Sequence, residues 1–418
     1  MKTIVLDDDP TGTQSATGVT VLLESNADLL AEALQGADSV YVQTNSRALP
    51  AEEAVALVGR IKTDGEAAAQ RLGDHVRFVL RGDSTLRGHV FAESEVFLDD
   101  DAVMLFVPAF PDGGRTTRGG VHYVQVGDQE LPAHESEYAQ DPVFGFSTGV
   151  LVDYVAEKSG RRGLAVALEQ VRAGELTRIL AEAPASAVVL PDVVDAGDVS
   201  AIARAVDDVT ARGRRVVVRC AAPLAAELAG VTSRELLPTP LVERAERVLL
   251  VCGSHTHGAS AQLQPVAEAW GAPVVVNTAT ALDAPTAAGL EAADEARSAF
   301  AGQPVTVLTT ERERSSEHNT LAHGERVMAA LTTAVASLLP AVGVVVAKGG
   351  ITSAEVARTG IGATSARVLG QVLSGVSVWR MSARDGRDVL YVVVPGNVGG
   401  PDTLTRVLDA LDVRVPVA

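Results

Sequence analysis

The chain has 418 residues and is 47% hydrophobic, enough for two cored domains of ordinary size. Lysine and arginine number 35 against 53 aspartates and glutamates, and the net charge of −18 argues against nucleic acid as a partner. Cys220 and Cys252 stand far apart in apolar surroundings without CxxC spacing, as reduced core thiols do; with no signal-peptide pattern and no run of about 18 apolar residues to span a membrane, a soluble cytoplasmic protein is expected.

The first half alternates strand and helix signals. Thr3–Leu6 is a short apolar strand that ends in Asp7-Asp8-Asp9-Pro10-Thr11-Gly12. Carboxylates at the C-terminal end of a first strand occupy the place where open α/β sheets bind ligands. Like charges packed this closely are costly unless something uses them, although they also suit a helix cap or a loop. Ser39–Val42 is a second strand, running into the polar segment Gln43–Arg47, and Pro50 opens an amphipathic helix through Gln70. The strand His75–Leu80 leads into Arg81-Gly82-Asp83-Ser84-Thr85-Leu86-Arg87-Gly88. Arginine forks bind carboxylates and phosphates, aspartate orients or deprotonates a hydroxyl, and glycine lets backbone approach a ligand. Such a loop suits a small anionic substrate bearing hydroxyls; it also suits a plain turn whose arginines pair with surface acids. Ala102–Ala109, Gly163–Leu168, Ala187–Leu190 and Arg215–Arg219 are further strands, with a helix at Val199–Thr210. Gly119–Val126 and Ala133–Tyr138 carry no clear period, and residues 141–160 read as a connecting excursion. His75, His122 and His134 are isolated and read as packing or surface residues.

Leu237-Pro238-Thr239-Pro240 breaks any helix and places a linker at 236–245, between domains at 1–235 and 246–418. The alternation then restarts. Arg247–Cys252 is a strand that enters Gly253-Ser254-His255-Thr256 and a helix through Trp270. Pro273–Asn277 and Val305–Leu308 are strands, and His318–Leu339 is helical. The apolar strand Val342–Ala347 runs into Lys348-Gly349-Gly350-Ile351-Thr352-Ser353, with a helix expected from Ala354. Val376–Met381 and Asp388–Val394 flank the hairpin signal Asp385-Gly386. The second of them ends in Pro395-Gly396-Asn397-Val398-Gly399-Gly400, before a last helix from Thr403. Three junctions of this kind present free backbone amides, as phosphate sites do. There is no GxxxxGK[ST] and no GxGxxG after the first strand, so neither the common ATPase loop nor the dinucleotide fingerprint applies, and a dehydrogenase is disfavoured. The expected fold is α/β, with two domains that each hold a mainly parallel sheet flanked by helices.

These segments together resemble the four-carbon acid sugar kinases. The resemblance rests on DDDPTG at Asp7–Gly12, DSTLRG at Asp83–Gly88, GSHT at Gly253–Thr256, GGITS at Gly349–Ser353 and the late PGNVGG, in the family's order along essentially the whole chain. It implies phosphorylation of the terminal hydroxyl of a threonate, erythronate or 3-oxo-tetronate type of acid by ATP. The acid is expected in the N-terminal domain and the nucleotide in the C-terminal one. The chain departs from the family's usual DD-x-TGA opening, and Arg81-Gly82 stand where a lysine is frequent.

On this reading Arg81 and Arg87 hold the substrate carboxylate. Asp8, Asp9 and Asp83 bind hydroxyls, with Asp8 or Asp83 as catalytic base, and Thr11, Gly12 and Ser84 complete the acid site. Ser254, Gly349, Gly350, Thr352, Ser353, Gly396, Asn397, Gly399 and Gly400 are expected to hold ATP. Mg²⁺ would bridge the phosphates, without a metal ligand assigned to any residue. The sequence leaves room for a homodimer. A nucleotide-binding regulator or sensor of a sugar acid that does not turn over is the alternative.

Overall fold

The computed structural model describes residues 1–243, 247–312, 321–396 and 398–413. The chain divides into two compact units, Met1–Ser233 and Arg234–Ala418.

The first unit is built on eight parallel strands. In chain order they are β1 (Lys2–Asp7), β2 (Thr20–Leu22), β3 (Ser39–Gln43), β4 (Val76–Arg81) and β5 (Val103–Val107). After a separate antiparallel trio, β6 (Arg115–Arg118), β7 (Val121–Val126) and β8 (Gln129–Pro132), come β9 (Arg162–Val166), β10 (Ala187–Pro191) and β11 (Val216–Cys220). The spatial order of the eight is β2-β3-β1-β4-β11-β5-β10-β9. The middle of each central strand is apolar and largely buried, as helices covering both sheet faces require, and the charged residues of β1, β4 and β11 fall towards the strand ends. Ile4, Leu6, Val40, Val42 and Leu80 pack against Leu30, Leu34, Val58 and Ile61 of the helices Ala27–Gln35 and Ala51–Leu72. Met104, Phe106, Val188 and Leu190 pack with Leu151, Tyr154 and Phe91 in a second core cluster. The segment expected to be a connecting excursion thus contains the helix Leu151–Ser159, which buries Leu151, Tyr154 and Val155.

The second unit has a seven-stranded sheet. Its strands are β12 (Val248–Cys252), β13 (Val274–Val276), β14 (Val305–Thr310), β15 (Val344–Lys348), β16 (Ser365–Leu373), β17 (Val376–Ser382) and β18 (Asp388–Val394). The order is β13-β14-β12-β15-β18-β17-β16, parallel as far as β18 and antiparallel beyond it. Strand β16 was not among the expected strands, though its residues alternate in burial. The helix after β15 begins at Gly350 rather than at Ala354 and passes into a π-helical turn, Val356–Ile361. The long helix is described from Leu321 to Leu338; His318–Thr320 lie outside the described residues.

The segment expected to be a linker belongs to the second unit. Leu237 N donates to Gln371 O at 2.7 Å and Leu241 N to Ala410 O at 2.8 Å, and both side chains pack against that unit's core. Residues 244–246 lie outside the described residues.

Candidate active site

In the first unit, the C-terminal ends of β1, β3, β4 and β11 converge on one network of ion pairs. Asp7 closes β1 and is fully buried. Its Oδ1 accepts from Arg81 Nη1 at 3.0 Å, and its Oδ2 has no hydrogen-bond partner. Burial, opposed by Arg81 and assisted by the neighbouring Asp8, pushes the Asp7 carboxyl up to about 7. The chain turns tightly behind it in a buried 3-10 helix, Pro10–Ser15, where Gly12 is required: a Cβ there would overlap the Asp7 carboxylate.

Asp8 lies between two buried arginines. Arg81 Nη1 donates to its Oδ1 at 3.3 Å and Arg219 Nη2 to its Oδ2 at 3.2 Å. Arg219 is in turn paired with Glu93 of the helix Val90–Glu95. Asp9 caps the 3-10 turn. Its Oδ1 accepts from Thr11 N at 2.7 Å and from the Thr11 hydroxyl, which itself lies 3.4 Å from Arg81 Nη2. The other oxygen of Asp9 meets Arg47, from the loop after β3.

Arg47 also reaches Asp83 Oδ2 at 3.3 Å, and Arg87 Nε donates to that same oxygen at 2.8 Å. Burial works to raise the Asp83 carboxyl, but Arg87, Arg47 and the Thr85 hydroxyl together hold it well below the usual carboxylate range. Asp83 is therefore an ionised acceptor and a weak base. The guanidinium of Arg87 lies 4.9 Å over the Tyr138 ring.

The loop carrying Asp83 and Ser84 is held from beneath. His122 Nε2 donates to Ser84 O at 2.8 Å, and the Tyr154 hydroxyl donates to Leu86 O at 2.8 Å. Leu86 takes a left-handed φ of 67°. Burial pushes the His122 imidazole down to about 4, so it stays neutral and acts as a strut, in keeping with its reading as a packing residue.

The network thus connects Asp8, Asp9, Thr11, Arg81, Asp83 and Arg87, with Gly12 and Ser84 directly behind them. Arg81 requires a correction. Its side chain is 2% exposed, and it bonds to Asp7, Asp8, the Asp9 carbonyl and Thr11. What takes Arg81 away from an outside carboxylate is its burial: Nη1 serves Asp7, Asp8 and the Asp9 carbonyl, while Nε, which has no hydrogen-bond partner, is itself buried. The network cations with an open side are Arg47, 18% exposed, and Arg87, 23% exposed. From the sequence, Arg47 belongs to a polar run that can face the site without being singled out within it, and Arg219 and Glu93 are missed altogether.

In the second unit, three loops at the ends of β12, β15 and β18 meet. A Cβ on Gly349 would stand 3.0 Å from Ser254 Cβ, and one on Gly396 would stand 3.4 Å from Ser254 Oγ. Gly349 has a φ of 106°, which only glycine adopts readily. Thr256 Oγ1 donates to Gly396 O at 3.4 Å, and Thr352 Oγ1 lies beside Gly253. Gly350 opens the helix Gly350–Glu355. Arg312, after β14, donates to Ser254 O at 2.6 Å and to Ser260 Oγ at 2.9 Å.

Ser353 is corrected to a structural role. Its hydroxyl is fully buried and donates back to Gly349 O at 2.7 Å and toward Ala347 O at 3.2 Å. Gly399 and Gly400 sit in the turn into the last helix: Gln262 Nε2 donates to Gly399 O at 3.3 Å, and Thr403 Oγ1 donates to Gly400 O at 2.8 Å. Their contacts are with that turn and with the helix His257–Trp270 rather than with Ser254. Asn397 lies outside the described residues. Among the described residues, no group of three or more His, Cys, Asp or Glu could hold a metal ion.

Comparison with known proteins agrees with this two-part layout. Residues 3–228, more than half the chain, match the family model described as a sugar-binding N-terminal domain, and residues 249–404 match a nucleotide-binding C-terminal domain. The chain is 37% identical over 203 residues to a D-threonate kinase of Bordetella bronchiseptica, covering 48% of this chain and 45% of that one. It is 30% identical over 241 residues to a D-erythronate kinase of Heliobacterium modesticaldum, covering 56% and 51%. A 3-oxo-tetronate kinase of Methylobacterium radiotolerans is 29% identical over 404 residues, 91% of this chain and 90% of that one.

The chain belongs to the four-carbon acid sugar kinase family. It spans about half the length of the first two of these relatives. A solved structure of a Haemophilus influenzae protein of the DUF1537 family shares the fold, with a TM-score of 0.62 at 18% identity over 98% of this chain and 100% of that one. A Salmonella typhimurium LT2 structure gives 0.64 at 19% identity, covering 97% and 98%. No helix among the described residues is long and apolar enough to cross a membrane.

Proposed function

We propose that this member of the four-carbon acid sugar kinase family uses ATP to phosphorylate the terminal hydroxyl of a sugar acid of the threonate, erythronate or 3-oxo-tetronate type. The observation that carries the reading is the edge of the first unit's network, where Arg47 and Arg87 keep an open side next to the carboxylates of Asp9 and Asp83. Cations take the acid's carboxylate, and ionised carboxylates accept from its hydroxyls. A purely apolar sugar pocket would offer neither.

The nucleotide belongs on the second unit, where Ser254, Thr256, Gly349, Gly350, Thr352 and Gly396 gather hydroxyls and close-approach backbone. The acceptor oxygen forms its bond to the γ-phosphorus as the bond to the β–γ bridging oxygen breaks, and ADP leaves with that oxygen. Such transfer depends on positioning and charge neutralisation more than on a strong base. The hydroxyl proton passes to a carboxylate of the network. Asp8 is the candidate at the end of β1: it is 2% exposed and paired with Arg81 and Arg219, so it takes the proton only where the bound acid reaches past Asp9 to its free lone pairs. Asp83, held ionised at low pKa, orients the acceptor instead. When bound, Mg²⁺ supplies charge neutralisation on the phosphates.

The test is a panel of four-carbon acids with ATP, read by coupled ADP release. Turnover with at least one such acid, absent with the uncharged sugar alcohols, supports the reading. ADP release indifferent to every acid would overturn it.

A further inference from the structure

Lys348 ends β15 immediately before Gly349, and its side chain is 0% exposed. An ammonium carries three donors. The bond it makes among the described residues is from Nζ to Pro395 O at 2.6 Å, and no described carboxylate pairs with it. Pro395 is the residue before Gly396, so the ammonium sits under the meeting point of the Gly349 and Gly396 loops. The neighbouring strands add no negative charge. Cys252 of β12 lies in register with Lys348, and its thiol is pushed up by burial and stays neutral; on the other side, β18 offers Val394. A second cation, Arg312, stands against the same cysteine, with its Nη1 3.9 Å from Cys252 Sγ. Lys348 and Arg312 both reach the junction at which the hydroxyls of Ser254, Thr256 and Thr352 gather. A buried charge without a counter-ion is expensive, and proteins keep one where an anion completes the pair.

We propose that Lys348 is the positive charge against which the nucleotide's phosphates bind, acting as a positioning residue. Its bond to the Pro395 carbonyl fixes the Gly396 loop, and its charge is balanced when a polyphosphate occupies the Ser254, Gly349 and Gly396 cluster. The proposal rests on the nucleotide reading given above and names the group in the chain that reads the anion.

A consequence follows that a merely structural lysine would not show. Burial lowers the Lys348 ammonium to about 8 in the empty protein. At pH 8.5 roughly a quarter of the molecules carry the proton; a bound anion favours the charged form, so binding takes up roughly half a proton or more. At pH 7 the lysine is already charged and little uptake occurs.

The experiment is calorimetric titration with ADP at pH 7.0 and 8.5, each in two buffers of different ionisation enthalpy. Wild type is expected to take up protons at pH 8.5 and almost none at pH 7.0. Lys348→Met, which fills similar volume without charge, should bind ADP at least about 30-fold more weakly, with no uptake. Lys348→Arg should regain part of the affinity and still show no uptake, because arginine does not titrate in this range. Wild type that binds ADP at pH 8.5 without proton uptake overturns the proposal, as does a folded Lys348→Met with wild-type affinity. If Lys348→Met fails to fold, the wild-type and Lys348→Arg titrations decide. Absence of ADP binding by wild type at either pH removes the nucleotide reading itself, a result distinct from binding without uptake.

Discussion

Arg81 Nη1 donates to Asp7 Oδ1 at 3.0 Å, and neither side chain is more than 2% exposed. This pair lies under the acid site of the first unit and sets what its surface can do. On the proposed reading, Arg81 neutralises the end of β1 from within, and recognition of an outside carboxylate falls to Arg47 and Arg87 at the edge.

Arg81→Ala is therefore expected to act on folding. Removing one partner leaves buried aspartates uncompensated, a loss of about 3–5 kcal/mol. A thermal melt and a denaturant titration measure it. An Arg81→Ala protein with wild-type stability and a raised KM for the acid alone would return Arg81 to the substrate.

Arg87→Ala is expected to do the opposite. Its guanidinium is 23% exposed, and losing a carboxylate ligand costs about 2–4 kcal/mol of binding. The KM for the acid should rise by roughly 30- to 1000-fold, with the KM for ATP little changed and a smaller loss of stability than in Arg81→Ala, because Arg47 still pairs with Asp83. A raised KM for ATP with an unchanged KM for the acid would contradict the placement of the acid on the first unit.

Asp7 gives a pH dependence whose sign is fixed. Its folded value of about 7 lies above the ordinary 3.8 of an aspartate, so the native state holds a proton that the unfolded chain releases. The stability this contributes is complete below about pH 4 and is lost as the pH rises through 7. Asp7→Asn lacks this loss. Relative to wild type it should gain on the order of 2–4 kcal/mol between pH 4 and pH 8. Parallel stability curves for the two proteins across that range would show that Asp7 is ionised throughout.

The acidic run at the end of β1 was legible because three aspartates directly after an apolar strand are costly without a use. Their division of labour was not legible. Adjacent residues point to different faces, and which face holds Arg81 and Arg219 depends on β4 and β11, distant in sequence. Arg219 ends a strand that reads as ordinary, and Glu93 lies in a short helix; only the parallel pairing brings them to Asp8. The glycine junctions could be read locally because each is one strand followed by one turn. The inward turn of the Ser353 hydroxyl could not, since its partners are carbonyls of the preceding turn. Along Ser365–Leu373, strand β16 alternates buried residues with more exposed ones, so its period of two was there to be found.

Asp8 and Asp9 should separate kinetically. Asp9 caps the 3-10 turn, so Asp9→Asn weakens that cap and should lower stability by about 0.5–2 kcal/mol with a small effect on kcat. Asp8→Asn should lower kcat about a hundredfold or more, at saturating ATP and acid. Near-wild-type kcat in both variants would move the proton acceptor elsewhere.

Gly349→Ala places a Cβ at a φ of 106° and 3.0 Å from Ser254 Cβ. It is expected to abolish measurable ADP binding while the first unit still binds the acid. Calorimetry of the folded variant with each ligand separately checks both halves; ADP affinity equal to wild type would remove the Gly349 junction from the nucleotide site.

The most direct measurement is the product itself. The protein is incubated with ATP, Mg²⁺ and each four-carbon acid in turn, and the acid is followed by mass spectrometry and ³¹P NMR. The account predicts that one or more acids gain a single phosphoryl group, as an ester on the terminal carbon, in step with ADP. ATP consumed without a phosphorylated acid, or a phosphoryl group on the carboxylate instead of the terminal hydroxyl, would contradict it.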